Sequence, residues 1–470
     1  MERPELLRIF HRWNPWWEGI SPRIPHFRRN AFVPLQKELG ENKVTAIIGP
    51  RQTGKTTLML QTITYMIKKG ENPRSILYLP IDDVRDALEE KRLDLREILT
   101  AHSEEILRKP LSESKKYIFF DEIQVCPDWS RILKILFDQK LPVKFLISGS
   151  TSSDLLKGAS ESLAGRISLT ILPPLRYGEV VRLRLKGEYE KRGFSEARQK
   201  LGQSLQESIE KIEPLIFFNQ CQQIEKLLIP IEDRMNIILQ EYLERGGYPE
   251  IVATEMDLMD AIRRLRDYID LVIQKDFVSF FHIRDPKTMD RMIRLIARHT
   301  SNIFVERTLA RELGIAINTV RNYLGFLEDT YLIYLTRSYA KSYARMMRRP
   351  EKLYIIDPGL GNALVGYGEE DKGNLAETVV CSHLQSFSDR NGWKSQLFYW
   401  REKERWEVDL IWETRGKILP IEVKYRRPTA LSGLDKFITD HNCWGIVISD
   451  RLKLEKNRIY VPLYLFLLLG

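Results

Sequence analysis

The segment Gly49-Pro50-Arg51-Gln52-Thr53-Gly54-Lys55-Thr56 constrains this chain more than any other, because its chemistry works only between a strand and a helix. It fits the GxxxxGK[ST] phosphate-binding pattern, and both flanks suit it. Val44-Thr-Ala-Ile-Ile48 is a short apolar, β-branched run that predicts a buried parallel strand. Lys55 to Gly70 is helical in pattern and closes at a glycine. In that order, backbone N–H groups and a helix N-terminus can cradle a triphosphate. Gly49 to Thr57, Thr57 included, are thus the candidate ATP-binding residues. Lys55 is expected at the β and γ oxygens and Thr56 at Mg²⁺.

A chain of 470 residues has length for two to four domains, and its net charge of +9 permits an anionic partner without demanding one. Cys126, Cys221, Cys381 and Cys443 are scattered, with no CxxC pair or zinc spacing, which suits packed thiols in a cytoplasmic protein. Met1–Arg12 is charged and does not read as a signal peptide. The apolar stretch Val461–Gly470 is too short to span a bilayer, so no membrane partner is expected.

Residues 1–30, rich in Arg, Pro and Trp, predict an irregular arm laid on another surface. Residues 31–176 predict a parallel α/β sheet domain with strands Val44–Ile48, Ser75–Ile81, Tyr117–Phe120, Val143–Ile147 and Ile167–Leu172. Lys116-Tyr-Ile-Phe-Phe-Asp121-Glu122 delivers two acids at a strand end: Asp121 for the Mg²⁺ shell, Glu122 to polarise water. Ser148 ends the next strand as a candidate γ-phosphate or water sensor. Arg166 is a candidate finger, acting in cis or on a neighbouring subunit. Residues 177–285 predict a helical insertion and lid containing the turn Gly246-Gly-Tyr-Pro249.

These residues resemble archaeal and bacterial AAA+-related ATPases that carry a winged helix and a nuclease-like C-terminal domain. The resemblance rests on GPRQTGKTT, FFDEIQ, ISGSTSSDL, AGR and GGYP. It implies ATP and Mg²⁺ as cofactors and a homo-oligomer, of which a hexameric ring is one form.

Within residues 286–371, Val305–Leu313 and a helix capped by Asn318 and running to Asp329 predict a helix-turn-helix, with Tyr331–Thr336 as first wing strand. Val320, Tyr323, Leu324 and Leu327 recur at core spacing, leaving Thr319, Arg321 and Asn322 to face a DNA groove. Lys341, Arg345, Arg348, Arg349 and Lys352 form a basic run suited to phosphates. Duplex or branched DNA is the expected partner.

In residues 372–470, a hairpin brings Asp409 beside Glu422, and the period of two puts Glu422 and Lys424 on one face. Asn374 would cap a helix bringing Glu377 to the same point. Three carboxylates and a lysine suit a Mg²⁺ or Mn²⁺ site against a phosphodiester. In order, Glu377, Asp409 and Glu422-Val-Lys424 resemble the PD-(D/E)xK nucleases, although Glu-Val stands where proline precedes the Asp in many resolvase-like members. The resemblance implies a restriction-endonuclease-like α/β domain. Two functions follow: an ATP-driven DNA-binding, remodelling or cleaving protein, and a nucleotide-controlled assembly switch with a silent nuclease-like domain.

Overall fold

The computed structural model describes residues 3–87, 94–126, 128–151, 163–191, 193–278, 281, 283–340, 342–347, 349–390, 395–403, 405–425 and 431–469. They form two compact units, Met1–Leu172 and Pro173–Gly470.

The first unit is built on five parallel strands: β1 (Val44–Ile48), β2 (Ile76–Pro80), β3 (Lys116–Asp121), β4 (Val143–Gly149) and β5 (Ile167–Ile171), in the order β2-β3-β4-β1-β5. β1 to β3 are buried along their whole length, as apolar runs covered on both faces should be. β1 lies between β4 and β5, pairing Ile47 with Ser148 on one side and Thr170 on the other. The loop before the helix Lys55–Lys68 and the ends of β3 and β4 therefore meet at one edge of the sheet. Open α/β sheets bind their ligands at such an edge, outside the carboxyl ends of the strands.

The N-terminal arm is not irregular. Arg3–Trp13 is a helix that buries Leu6 and Phe10, and the residues after it finish the edge of β2 with side chains. Asn14 grips both backbone groups of Tyr78, donating to its oxygen at 3.0 Å and accepting from its nitrogen at 2.7 Å. The Trp16 and Trp17 indoles both donate to the Ile76 carbonyl. An edge strand satisfied this way has less bare backbone to offer another chain.

The second unit merges segments that sequence patterning reads as separate domains. Among its described residues the strands are β6 (Ile303–Phe304), β7 (Ile333–Ser338), β8 (Glu351–Ile355), β9 (Ser395–Glu402), β10 (Trp406–Thr414), β11 (Lys417–Val423), β12 (Gly445–Ser449), β13 (Lys453–Glu455) and β14 (Arg458–Pro462). They form one mixed sheet in the order β13-β14-β12-β11-β10-β9-β7-β8-β6. The join is narrow: β7 pairs with β9 at Arg337–Phe398 and Ser338–Tyr399. Helices Tyr177–Lys191, Phe194–Lys211, Pro214–Leu228 and Glu232–Arg245 pack within this unit. The Gly-Gly-Tyr-Pro turn is locked in it: Gly247 N donates to the buried Asp357 carboxylate at 2.8 Å, and Leu175 N donates to Gly247 O at 2.6 Å.

Two helix starts differ from the sequence reading. Ile317–Asp329 is capped by Ala316, so Asn318 falls in its first turn. Lys372–Arg390 begins two residues before Asn374, because it continues from the short turn Glu369–Asp371. The C-terminal apolar stretch completes β14 and then turns as the helix Leu463–Phe466, fully buried.

Candidate functional site

In the first unit, the loop Gly49–Gly54 is shaped by positive backbone angles at Gly49, Gly54 and Gln52. A side chain at Gly49 would put its Cβ 2.3 Å from the Leu172 carbonyl, so only glycine fits where the loop leaves β1. The Thr53 hydroxyl closes the turn on Pro50 O at 2.9 Å, and Arg29 from the arm donates to Thr53 O at 2.8 Å. Lys55 is almost fully buried. Its ammonium donates to Gly49 O and Pro50 O, each at 3.0 Å, and stands 3.7 Å from Glu122. These carbonyls hold the charge at the mouth of the loop, while Thr57 lies in the first turn of the following helix.

Asp121, at the end of β3, collects hydroxyls. Thr56 donates to its Oδ2 at 2.5 Å, Tyr78 donates to the same oxygen at 2.9 Å, and Ser148 donates to Oδ1. Ser148 also accepts from Glu122 N at 3.1 Å, so it ties both acids to the end of β4. Burial, and then the charge of Glu122, raise the Asp121 carboxyl above its ordinary range. Burial pushes Glu122 the same way, but Lys55 and Arg51 outweigh it and hold the carboxyl low, hence ionised. Glu122 sits on a left-handed backbone at φ 52°, and Gln124 donates to its Oε2 at 2.6 Å. Such strain costs energy and is kept where the surroundings fix it. Thr56 and Asp121 set two hard oxygens side by side, which fits a Mg²⁺ ion. Arg166 stands apart, half-exposed at the start of β5 and paired with Asp138 at 3.1 Å. Tyr78, Gln124 and Arg29 complete the site, and sequence patterning does not single them out.

In the second unit, Arg321 and Asn322 are exposed on Ile317–Asp329 and Thr319 is half-buried, while Val320, Tyr323, Leu324 and Leu327 face the core. Arg321 is paired with Glu306 at 2.8 Å. Arg349 donates to Ser338 Oγ and to Arg401 O, each at 3.1 Å. Lys341, Arg348 and the Arg345 side chain lie outside what is described. Lys352 is no part of a surface patch: β8 is paired on both sides, by β6 and β7, and the Lys352 side chain is 4% exposed.

Lys352 instead enters the carboxylate cluster expected near the C-terminus. Its ammonium lies 2.8 Å from Glu377, 3.2 Å from Glu407 and 3.8 Å from Asp409. Tyr354, two residues on and on the same face of β8, donates to the same Glu377 oxygen at 2.6 Å. The β10–β11 hairpin pairs Leu410 with Ile421, which sets Asp409 opposite Glu422. Val423 N donates to Asp409 Oδ2 at 2.7 Å, and Lys424 pairs with Glu422 at 2.7 Å. Burial and Asp409 push the Glu422 carboxyl up to about 8. Burial raises Glu377 to about 7 against the pull of Lys352. Burial alone would lower the Lys352 ammonium, but Glu377, Asp409 and Glu407 raise it above the ordinary lysine range.

This corrects the expected metal set. Glu377, Asp409 and Glu422 do converge, but a lysine from β8 donates to Glu377 and stands 3.8 Å from Asp409. Among the described residues no group of three His, Cys, Asp or Glu side chains is arranged to hold a metal ion. The residues as placed therefore do not fit Mg²⁺ or Mn²⁺, since an ammonium is bound to Glu377 and stands 3.8 Å from Asp409, where such an ion would need those oxygens. The signal for Lys352 lies in the alternation of β8, where Lys352 and Tyr354 share a face.

Residues 41–181 match the family model described as "AAA domain". Residues 237–371 and 372–466 match two further models, each described as a domain of unknown function. An uncharacterized protein of Methanocaldococcus jannaschii is 27% identical over 441 residues, covering 92% of this chain and 86% of its own. One of Mycobacterium tuberculosis is 27% identical over 414 residues, covering 86% and 75%. Among solved structures, the Aeropyrum pernix ORC2 protein in its ADP form aligns over 70% of this chain and 92% of its own, at 14% identity and a TM-score of 0.31. The loop, the parallel sheet and the family match make the first unit a P-loop domain of the AAA kind. Among the described residues no helix is long and apolar enough to cross a membrane.

Proposed function

We propose that this chain is an ATP-hydrolysing, DNA-binding protein in which nucleotide turnover controls engagement or remodelling of DNA, and in which the nuclease-like segment is silent as folded. The observation that carries the reading is the assembled set Lys55, Thr56, Asp121, Glu122 and Ser148 at one end of a parallel sheet. Mg²⁺ held by Thr56 and Asp121 would neutralise charge on the β and γ phosphates. Lys55 leaves its loop carbonyls to bind phosphate oxygen, Glu122 accepts a proton from the attacking water, and Ser148 keeps the two acids in register. Arg166 would supply a further positive charge, delivered to a neighbouring subunit in a homo-oligomer.

DNA contact rests on the solvent-facing side of Ile317–Asp329, where Arg321 and Asn322 project beside Thr319. Silence of the C-terminal segment rests on Lys352. This observation also favours a second reading, a nucleotide-controlled switch that binds a protein partner.

One experiment separates them: purified protein is incubated with duplex, single-stranded and branched DNA, with and without ATP and Mn²⁺. Salt-dependent binding with DNA-stimulated ATPase and no cutting is the expected result. Negligible DNA affinity would leave the switch, and Asp409-dependent cutting would overturn silence. Within the ATPase, Lys55→Ala should weaken nucleotide binding, whereas Glu122→Gln should bind normally and slow turnover by roughly 10²–10⁴-fold. Wild-type turnover in Glu122→Gln would remove Glu122 as the base.

A further inference from the structure

The carboxylate cluster of the second unit holds two opposite features. On one side Lys352 is spent: buried on a strand paired on both sides, it donates to Glu377 at 2.8 Å and stands 3.2 Å from Glu407 and 3.8 Å from Asp409. On the other side Glu422 Oε2 is buried without any hydrogen-bond partner, although its residue lies opposite Asp409 and its other oxygen holds Lys424. A buried carboxylate oxygen left bare is costly, and folds normally satisfy it.

We propose that the Lys352 ammonium is the resident cation of this cluster. It fills the place between Glu377 and Asp409 where the sequence pattern leads one to expect Mg²⁺ or Mn²⁺, and it latches β8 onto the helix Lys372–Arg390 and β10. The argument is geometric and electrostatic. Mg²⁺ requires oxygens at about 2.0–2.1 Å in near-octahedral array. An ammonium hydrogen-bonded to Glu377 and 3.8 Å from Asp409 engages the first carboxylate and repels a dication from both at short range. The bare Glu422 oxygen is then the ligand left over when a lysine with three donors replaces an ion that takes six. Tyr354 keeps Glu377 turned toward Lys352, so strand, helix and hairpin share one buried ion-pair network. A metal site would return only if Lys352 withdrew.

The proposal rests on the silent reading above, and its test is separate from DNA cleavage. Mn²⁺ is titrated into the full-length, nucleotide-free protein, with calorimetry and the free-ion electron paramagnetic resonance signal as readouts. Wild type should show no Mn²⁺ uptake that Asp409→Asn abolishes. Lys352→Met, and Lys352→Gln as a polar second variant, should each gain one site that Asp409→Asn removes. Uptake should appear at Mn²⁺ concentrations at least about 100-fold below the highest at which the wild-type cluster stays empty, because a unit charge a few ångströms away has been lifted. Lys352→Arg keeps the charge and should gain nothing. Circular dichroism melts identify which variants are folded. Asp409-dependent Mn²⁺ uptake by wild type overturns the proposal without needing any Lys352 variant. Failure of both folded neutral variants to gain a site also overturns it, and neither result by itself decides whether wild type cuts DNA.

Discussion

At the scale of single residues, the two acids at the end of β3 divide their roles through their neighbours. Asp121 is surrounded by three hydroxyl donors and raised by burial, whereas Glu122 is held low by Lys55 and Arg51. Ser148 links them, so its removal should misplace both without emptying the nucleotide pocket. Ser148→Ala should therefore keep nucleotide affinity within a few-fold and lower turnover by about 10-fold or more, read by separate binding and single-turnover assays. Equal losses in binding and turnover would make Ser148 a structural residue only. Glu422 offers a pH test. Its folded-state value of about 8 lies above the ordinary carboxyl range near 4.3, so the folded protein keeps a proton that the unfolded chain releases. That contribution is whole below about pH 4.3 and is lost as pH rises through 8; Glu377, at about 7, acts in the same direction. Glu422→Gln is fixed in the neutral form. Its stability relative to wild type should rise by roughly 2–4 kcal/mol between pH 5 and 8.5, measured by denaturant titration. An unchanged difference across that range would place the proton elsewhere.

At the scale of elements, the strands of the first unit are legible in sequence because parallel buried strands leave a plain mark. Val44–Ile48 matches to the residue, and the other four within one or two positions. Chemistry is legible where a motif fixes spacing, as in Gly49–Thr56. It is hidden where it depends on which face of a strand is buried. Lys352 reads as one basic residue among several near Arg349, yet β8 carries it inward beside Tyr354, and only the strand pairing reveals that β8 is flanked on both sides. The order of the arm is hidden for a similar reason: Asn14, Trp16 and Trp17 serve the backbone of β2 some sixty residues away, a pairing no local pattern records. Two predictions belong here. Lys352→Ala strips the cation from a buried acid cluster and should cost about 3–5 kcal/mol in a denaturant titration, because the acids are left uncompensated. Asp357 caps the helix Pro358–Val365 through Leu360 N at 3.1 Å and holds Gly247 N. Burial lifts its carboxyl to about 6, yet both backbone donors need an acceptor there. Asp357→Ala should lose about 2–4 kcal/mol, with Asp357→Asn recovering part of it, since one amide oxygen can still accept. Full stability in Asp357→Ala would show that the Gly-Gly-Tyr-Pro turn needs no such anchor.

At the scale of the molecule, five stretches distinguishable by composition condense into two units, because a composition shift marks a change of surface and not the end of a core. The narrow β7–β9 pairing joins strands of the helix-turn-helix segment to those of the carboxylate hairpin in one sheet. In the first unit, among the described residues, no strand pairs with the outer side of β5. β2 is finished by the arm, but β5 lies at the far end of the order, and Leu169 is 40% exposed on it. Arg166 stands at the start of β5, held by Asp138, an ion pair about half in solvent and cheap to break. A strand end with one exposed leucine and a weakly tethered arginine is what an interface between copies of this unit would use, and the arginine could then reach the neighbour's nucleotide. Hydrolysis should accordingly depend on assembly. Arg166→Ala alone and Lys55→Ala alone should each be inactive, the first as donor of the finger and the second as holder of the nucleotide. Mixed, they form interfaces in which an intact Arg166 faces an intact Lys55, so turnover should recover to roughly a quarter of wild type if subunits combine at random. Recovery should vanish on dilution below the assembly constant, followed by light scattering on the same samples. Intact oligomers with no recovery at any mixing ratio would return Arg166 to its own chain, as a partner for Asp138 and nothing more.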